Sequence, residues 1–317
     1  MDIVGDHRPM PLTEPLRVII GPTAAGKSTL ALKLAEHRQL AIVSADSRQI
    51  YIGFDIGTGK PTRDEQHRVP HFGIDILSPT ASYSAHQWAE YATAACAAIA
   101  KSGRAPLIVG GTGFYVRALT SPLDSVPNLD PEARATLAQW LVTLDGETLA
   151  RWCRRLDPAR AVFGRTQHLR AVETALLTGR RLAAAFGDGN ASARGNVRYL
   201  VIDPGPVLAH RIASRVHAML ATGWMAEIDA QRERVPDNAP AWKASGYETL
   251  RVCAPGSRPP RAVVERVIIE TRQYAKRQRT WCRHQLTDGP VTTLDPDRDD
   301  ALERALAWWD GSDGERA

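Results

Sequence analysis

One run constrains this chain more than any other: Gly21-Pro22-Thr23-Ala24-Ala25-Gly26-Lys27-Ser28. It follows the apolar stretch Leu16 to Ile20 and leads into Thr29-Leu30-Ala31-Leu32-Lys33-Leu34-Ala35. Strand, glycine-bounded loop and helix in that order carry the G-x-x-x-x-G-K-[ST] spacing of a phosphate-binding loop. The glycines let successive backbone N–H groups and the helix N-terminus converge on one anion. Lys27 adds a point charge, and the Ser28 hydroxyl is suited to hold Mg²⁺ against the phosphates. The spacing therefore predicts a phosphate site. It leaves open what the phosphate belongs to.

A length of 317 residues, 44% of them hydrophobic and 24% charged, suits a globular chain with a full core and room for two domains. No apolar run approaches the length of a bilayer span, and Met1 to Pro15 is polar without a signal-peptide core. The expectation is a short disordered leader, no membrane partner and a cytoplasmic location. Cys96, Cys153, Cys253 and Cys282 are scattered, with neither a C-x-x-C pair nor zinc spacing, which fits reduced thiols. A net charge of +5 permits a nucleic-acid partner without requiring one. No long apolar heptad calls for an obligate partner, so a monomer is expected.

The first third alternates strand and helix. Leu40 to Ala45 is a continuous apolar strand ending at Asp46, and Pro106 to Val109 is another, ending in Gly110-Gly111-Thr112-Gly113. Between them Ser84-Ala85-His86-Gln87 has capping-box spacing and opens an alanine-rich helix to about Lys101. Strand ends at 21, 46 and 110 all carry polar or glycine residues, and ligands bind at the carboxyl ends of parallel strands, so one site from three loops is expected. Ser121 to Pro127 has linker composition; Asp130-Pro131-Glu132 then starts an arginine-rich helical stretch to about Leu182, followed by a glycine-rich loop from Gly187 to Gly195. Arg198 to Asp203 returns to strand. Pro206 to about Arg234 predicts a helix broken near Gly223, and Pro260 to about His284 a long basic one with Tyr274 and Trp281 interleaved. The expected fold is α/β: a P-loop NTPase-like core, its parallel sheet covered by helices, interrupted by a helical insertion. Expected boundaries are 14–122 and 195–286 for the core, 123–194 for the insertion and 287–317 for an acidic tail without function.

A phosphate loop alone fits NTPases, kinases and some transferases. Hydrolysis of a nucleotide also asks for a carboxylate at an apolar strand end, and the strand Leu107 to Val109 ends in glycines instead. Asp46 does end a strand. It can serve a metal, accept a proton from an acceptor, or cap the next segment. Arg211 and Arg215, one turn apart, are candidates to help with phosphate, and the sequence does not choose between them. Basic residues among aromatics in the long helix suit a nucleic-acid backbone and its bases. A small-molecule kinase with a helical lid and a non-enzymatic RNA-binding module stand as alternatives.

GPTAAGKS (21–28), ADSRQIY (45–51), DIGTGKP (55–61), GGTGFY (110–115) and TRQYAKRQRTW (271–281), together with Gly223 to Ile228 and Gly246-Tyr247, resemble the tRNA dimethylallyltransferase family. The likeness runs in order from about residue 16 to residue 283 and, lacking a C-terminal zinc finger, is to the bacterial type. It implies transfer of a dimethylallyl group from dimethylallyl diphosphate to N6 of adenosine 37 in a tRNA anticodon stem-loop. The phosphate loop would then hold the donor's diphosphate, with Mg²⁺ at Ser28 and with Lys27 and Arg211 or Arg215 stabilising the leaving group. The resemblance makes Asp46 the group that accepts the amine proton and puts Thr112 on the same nucleotide. It further implies that Ser47, Arg48 and Gln49 touch the target nucleotide and its neighbours. Lys243, Ala244, Ser245, Gly246, Tyr247 and Glu248 would face the anticodon stem, as would Lys276, Arg277, Gln278, Arg279, Thr280, Trp281 and Arg283. From the insertion, Arg134 and the run Thr166, Gln167, His168, Leu169 and Arg170 would contact RNA. The chain departs from the family at Gly164 and Gln167 and in His-Phe-Gly-Ile-Asp at 71–75.

Overall fold

The computed structural model describes residues 15–120, 129–186 and 197–312. The expected leader up to residue 14, the Ser121–Pro127 linker and the Gly187–Gly195 loop lie outside them. The chain forms two compact units, one of Met1–Thr120 with Arg194–Ala317 and one of Ser121–Ala193.

The larger unit begins with β1 (Leu16–Ile20), α1 (Lys27–Arg38), β2 (Leu40–Ala45), α2 (Arg63–Arg68), β3 (His71–Phe72), α3 (Ala85–Lys101), β4 (Ala105–Gly110) and α4 (Gly113–Thr120). The smaller unit holds α5 (Pro131–Thr143), α6 (Gly146–Leu156) and α7 (Arg165–Thr178). The chain then returns to the first unit with β5 (Val197–Ile202), α8 (Leu208–Ala221), α9 (Trp224–Arg232), α10 (Tyr247–Leu250), α11 (Arg261–Gln285), β6 (Val291–Leu294) and α12 (Ala301–Asp310).

Among the described residues the strands make one six-stranded sheet in the order β3-β2-β4-β1-β5-β6, and every pair is parallel. β2 is buried along its whole length, which is why it reads as an unbroken apolar run. The order puts β2, β4 and β1 side by side, so the three strand ends at 46, 110 and 21 are neighbours as expected. The capping signals also hold. Ser84 and Gln87 form a reciprocal capping box on α3, and the Asp130 carboxylate accepts from Ala133 N at 2.9 Å with Pro131 in the first turn of α5. Such caps are each worth about 1 kcal/mol.

The segment after residue 286 is not a featureless tail. It supplies β6, which pairs with β5, and α12, whose buried Trp308, Trp309 and Ala305 join the main core beside α1. β6 is half exposed and only four residues long, so the strand preference of its β-branched Val291, Thr292 and Thr293 is a brief signal. The smaller unit has its own core of Leu141, Leu149, Cys153, Ala171, Val172 and Leu182. No helix among the described residues is long and apolar enough to cross a membrane.

Candidate active site

The loop after β1 is shaped for an anion. Gly26 sits at φ 92°, a left-handed turn that reverses the backbone so that α1 can begin at Lys27. The first turn of α1 has no acidic residue, so its positive end is uncompensated by the chain. Two N–H groups of the loop are already engaged, Thr23 N to the Gln278 side-chain oxygen at 2.8 Å and Ala25 N to the Pro22 carbonyl at 3.3 Å. The first-turn N–H groups at Lys27 and Ser28 have no intrahelical acceptor and remain for a ligand. A cavity of about 140 Å³ lies here, lined by Thr23 to Thr29 and by Asp46, Arg215, Tyr274 and Gln278 among others.

Lys27 Nζ donates to the Pro22 carbonyl at 2.7 Å. Its pKa is lowered to about 8, first by burial and then by the Arg215 charge, with Asp46 and Cys282 pulling the other way. The two arginines separate clearly. Arg215 lines the cavity, and burial lowers its pKa, against the pull of Asp46. Arg211 instead donates to the Ala25 carbonyl at 3.3 Å and pairs with Asp297, under the loop rather than inside the cavity.

A second cavity of about 750 Å³ opens beside the first. Ser47, Arg48, Thr112, Lys243, Ala244, Ser245, Gly246, Glu248 and Arg277 all line it. Thr23, Asp46, Thr58 and Tyr274 line both cavities, so these four form the boundary between them. Asp46 is half-buried there, and one carboxylate oxygen accepts from Arg48 N at 2.8 Å. That bond is an aspartate turn of the kind a cap would make, but no helix follows it, only turns before the lone bridge at Tyr51. The Thr112 hydroxyl accepts from Ser47 N at 3.0 Å and donates to Ser47 Oγ at 3.3 Å, tying the β4 end to the β2 end. Tyr274 reaches Thr112 from α11; burial pushes its phenol up to about 12.

The turn Gly57-Thr58-Gly59 is held by a polar clamp. One Glu227 oxygen accepts from Asp55 N at 2.9 Å and Ile56 N at 2.8 Å, while Tyr247 donates to the other at 2.5 Å and accepts from Gly57 N at 3.0 Å. Lys60, its side chain buried, pairs with Asp55 at 2.6 Å and with Asp75 and donates to the Tyr51 carbonyl at 2.6 Å. Bonds to a charged partner are worth about 1.5–3 kcal/mol each, against about 1 for neutral ones, so Glu227 and Lys60 dominate the anchoring. Gln49 adds a neutral tie, accepting from Ser44 Oγ at 2.8 Å and donating to the Gly59 carbonyl at 3.0 Å.

Several residues expected to meet RNA are occupied elsewhere. Tyr247 is fully buried in the clamp, and Gln49 faces the smaller cavity. On α11, Gln278 is buried, Arg279 pairs with Asp203, and the Trp281 ring packs over the backbone of Gly113. Successive side chains on a helix differ by about 100°, so one unbroken run cannot all face a ligand. Lys276, Arg277, Thr280 and Arg283 form the exposed part of that run. The Arg279 pair has a second consequence. Asp203 is the strand-end carboxylate beside β1, and it is held by Arg279 and by Gly205 N. In the smaller unit, Arg134 makes a two-pronged pair with Glu173 at 2.8 and 3.1 Å. His168 is buried against the Ala161 carbonyl at 3.1 Å, and Leu169 packs on the core. Thr166 and Arg170 are exposed and Gln167 half-exposed.

Sequence reading overlooked Thr58 and Tyr274 as boundary residues, and Arg266 and Glu270 in the larger cavity. Thr58 lay in the DIGTGKP run. Tyr274 was signalled by its position one turn ahead of Gln278, on the same helix face.

Comparison with known proteins adds a second line. The sequence profile of "IPP transferase" matches residues 49–285, and that of "Isopentenyl transferase" matches residues 14–71. A tRNA dimethylallyltransferase of Halorhodospira halophila is 41% identical over 293 residues, covering 90% of this chain and 94% of that one. One from Cyanothece sp. is 37% identical over 298 residues, covering 91% and 95%. The crystal structure of the full-length tRNA isopentenylpyrophosphate transferase from Bacillus halodurans superposes with TM-score 0.65 at 28% identity, covering 96% of this chain and 98% of that one. A eukaryotic dimethylallyltransferase acting on tRNA shares the fold at TM-score 0.77 and 24% identity, covering 96% of this chain and 81% of that one. With the profile spanning most of the chain and relatives matching along nine-tenths of it, this protein belongs to the IPP transferase family, the tRNA dimethylallyltransferases.

Proposed function

We propose that this enzyme transfers the dimethylallyl group of dimethylallyl diphosphate to N6 of adenosine 37 in a tRNA anticodon stem-loop. The observation that carries the reading is the shared boundary: Asp46 lines both the phosphate-loop cavity and the larger cavity beside it. A donor diphosphate in the first and an unstacked base in the second would bring the allylic carbon and the amine together at that carboxylate. A loop base has no Watson–Crick partner to lose, so unstacking it is cheap.

The bond from the allylic carbon to the diphosphate oxygen breaks, the bond from N6 to that carbon forms, and the amine proton goes to Asp46. Lys27, Arg215 and the first-turn N–H groups of α1 take up the charge that gathers on the leaving diphosphate. Thr112 and Tyr274 would hold the base edge against Asp46. Exposed Lys276, Arg277, Thr280 and Arg283, with Lys243 and Glu248 at the cavity, are the residues for the stem; Arg170 and Thr166 serve from the smaller unit.

The donor set also suits Mg²⁺. Ser28 offers an exposed hydroxyl in the diphosphate cavity, Asp46 lines the same cavity, and among the described residues no cluster of three or more His, Cys, Asp or Glu forms a cage. A hard cation held mostly by substrate oxygens and water, with Ser28 as its protein ligand, matches that chemistry and would neutralise the diphosphate as it leaves. A cytoplasmic monomer completes the reading, in keeping with four buried free cysteines.

A kinase has less support, since the strand-end carboxylate nearest β1, Asp203, is committed to Arg279. The test offers the purified protein Mg²⁺, an unmodified stem-loop, and either labelled dimethylallyl diphosphate or γ-labelled ATP. Label from the prenyl donor should appear on adenosine 37 and none from ATP. Phosphoryl transfer from ATP, without prenyl transfer, would contradict the proposal.

A further inference from the structure

We propose that Gln278 is a positioning residue for the donor site, locking the phosphate loop to the loop after β4 and withdrawing the Thr23 N–H from anion binding. This rests on the reading that the smaller cavity takes a diphosphate.

Gln278 is buried on the inner face of α11. Its side-chain oxygen accepts from Thr23 N at 2.8 Å and its amide nitrogen donates to the Gly111 carbonyl at 2.8 Å. A side-chain amide has one acceptor end and one donor end, so the orientation is forced; reversed, it would face N–H to N–H and oxygen to oxygen. The approach is close. A Cβ on Gly111 would lie 2.2 Å from the Gln278 amide nitrogen, so glycine there is a condition of the contact. Two loops from neighbouring strands, β1 and β4, therefore share one side chain from a distant helix. In G-x-x-x-x-G-K-[ST] loops backbone N–H groups cradle the anion, and the bond to Gln278 takes Thr23 N out of the available set. The N–H groups left for an anion are those of the first turn of α1, at Lys27 and Ser28.

The polarity makes this testable with Gln278→Glu. The ionised carboxylate accepts at both ends: it keeps the Thr23 bond, repels the Gly111 carbonyl and sets a negative charge beside the diphosphate. The protonated acid restores both bonds, because its hydroxyl donates where the amide did. Burial and a neighbouring anion raise a carboxyl's pKa, which brings that switch into an accessible range. The other charged or titratable groups facing the cavity are Lys27, Asp46, His71, Arg215 and Tyr274, and Cys282 acts on Lys27 from outside the lining. All are present in the unaltered protein, so the ratio of variant to wild type isolates position 278.

The measurement is calorimetric binding of inorganic diphosphate with Mg²⁺ to wild type, Gln278→Glu and Gln278→Leu, from about pH 5.5 to about pH 8.5, a window that spans raised carboxyl pKa values. At the upper end Gln278→Glu should bind about ten- to a hundredfold more weakly than wild type, the cost of an unmet buried donor–acceptor pair. That deficit should shrink as pH falls, while the Gln278→Leu deficit stays constant. Gly111→Ala, which pushes the amide away without touching Gln278, should weaken binding as well and stands in if Gln278→Glu does not fold. A Gln278→Glu protein that tracks wild type, a deficit that does not change with pH, or a Gly111→Ala protein with wild-type binding would overturn the proposal. A wild type that binds no diphosphate would remove the donor-site reading and this one with it.

Discussion

Lys27 illustrates how the fold sets the properties of single side chains. Burial and Arg215 both disfavour its charged form, and its pKa falls to about 8. An incoming diphosphate needs the charged form. The free enzyme therefore loses donor affinity as pH rises through about 8, while a bound diphosphate would pull the pKa back up. Folding runs the other way. An unfolded lysine titrates near its ordinary value of 10.5, so between about 8 and 10.5 the unfolded chain holds more protons and stability rises with pH. The expected result is a kcat/KM for the prenyl donor that falls above about pH 8, because kcat/KM reports the free enzyme. Lys27→Arg, whose charge does not titrate, should lack that limb whatever its absolute rate. A wild-type profile flat to about pH 10 would contradict the assignment of Lys27 to the diphosphate. At this scale the sequence was legible where the motif was local. Gly21 to Ser28 and Asp46 lie where their spacing implied. What the spacing did not carry was pairing across long separations: that Arg211 is taken by Asp297, Thr23 N by Gln278, and Arg134 by Glu173.

Among the elements, α11 and the segment after it show where local reading succeeds and fails. The helix itself was expected as a long basic stretch from Pro260 to about His284, but a contiguous motif does not reveal which side chains turn inward. Gln278 and Cys282 are buried while Lys276, Arg277, Thr280 and Arg283 are exposed, a division set by what packs against the helix. β6 and α12 were illegible for a different reason. The edge strand Val291–Leu294 is only four residues long, so its β-branched run is too brief to stand out, and pairing with β5 fixes it. Its contribution is large all the same. Leu294, Ala301, Ala305, Trp308 and Trp309 are buried in the main core. Large apolar side chains contribute roughly 1.5–3 kcal/mol each, against a net stability of about 5–15 kcal/mol for a whole domain. A chain ending at residue 286 should lose its cooperative thermal transition and aggregate, as followed by circular dichroism and light scattering. A truncated protein that melts at the wild-type temperature would show that β6 and α12 are dispensable.

For the larger unit as a whole, the parallel sheet explains why the two cavities share a boundary. Its strand order gathers the ends of β2, β4 and β1, and α11 closes over them with Tyr274 and Gln278. The architecture was legible because alternating apolar strands and capped helices follow local rules. The second cavity was not, since its walls come from residues as far apart as Asp46 and Arg277. The most direct test of this arrangement is the single-turnover rate of dimethylallyl transfer to an anticodon stem-loop, measured with wild type and Asp46→Asn at saturating donor. Wild type should modify adenosine 37 and fail on a stem-loop with guanosine there. The variant should bind donor and stem-loop normally yet lose about 10²–10⁴-fold in the chemical step, the usual contribution of a positioned base. Transfer by Asp46→Asn at the wild-type rate would contradict the account, because the carboxylate at the boundary would then not be where the chemistry occurs.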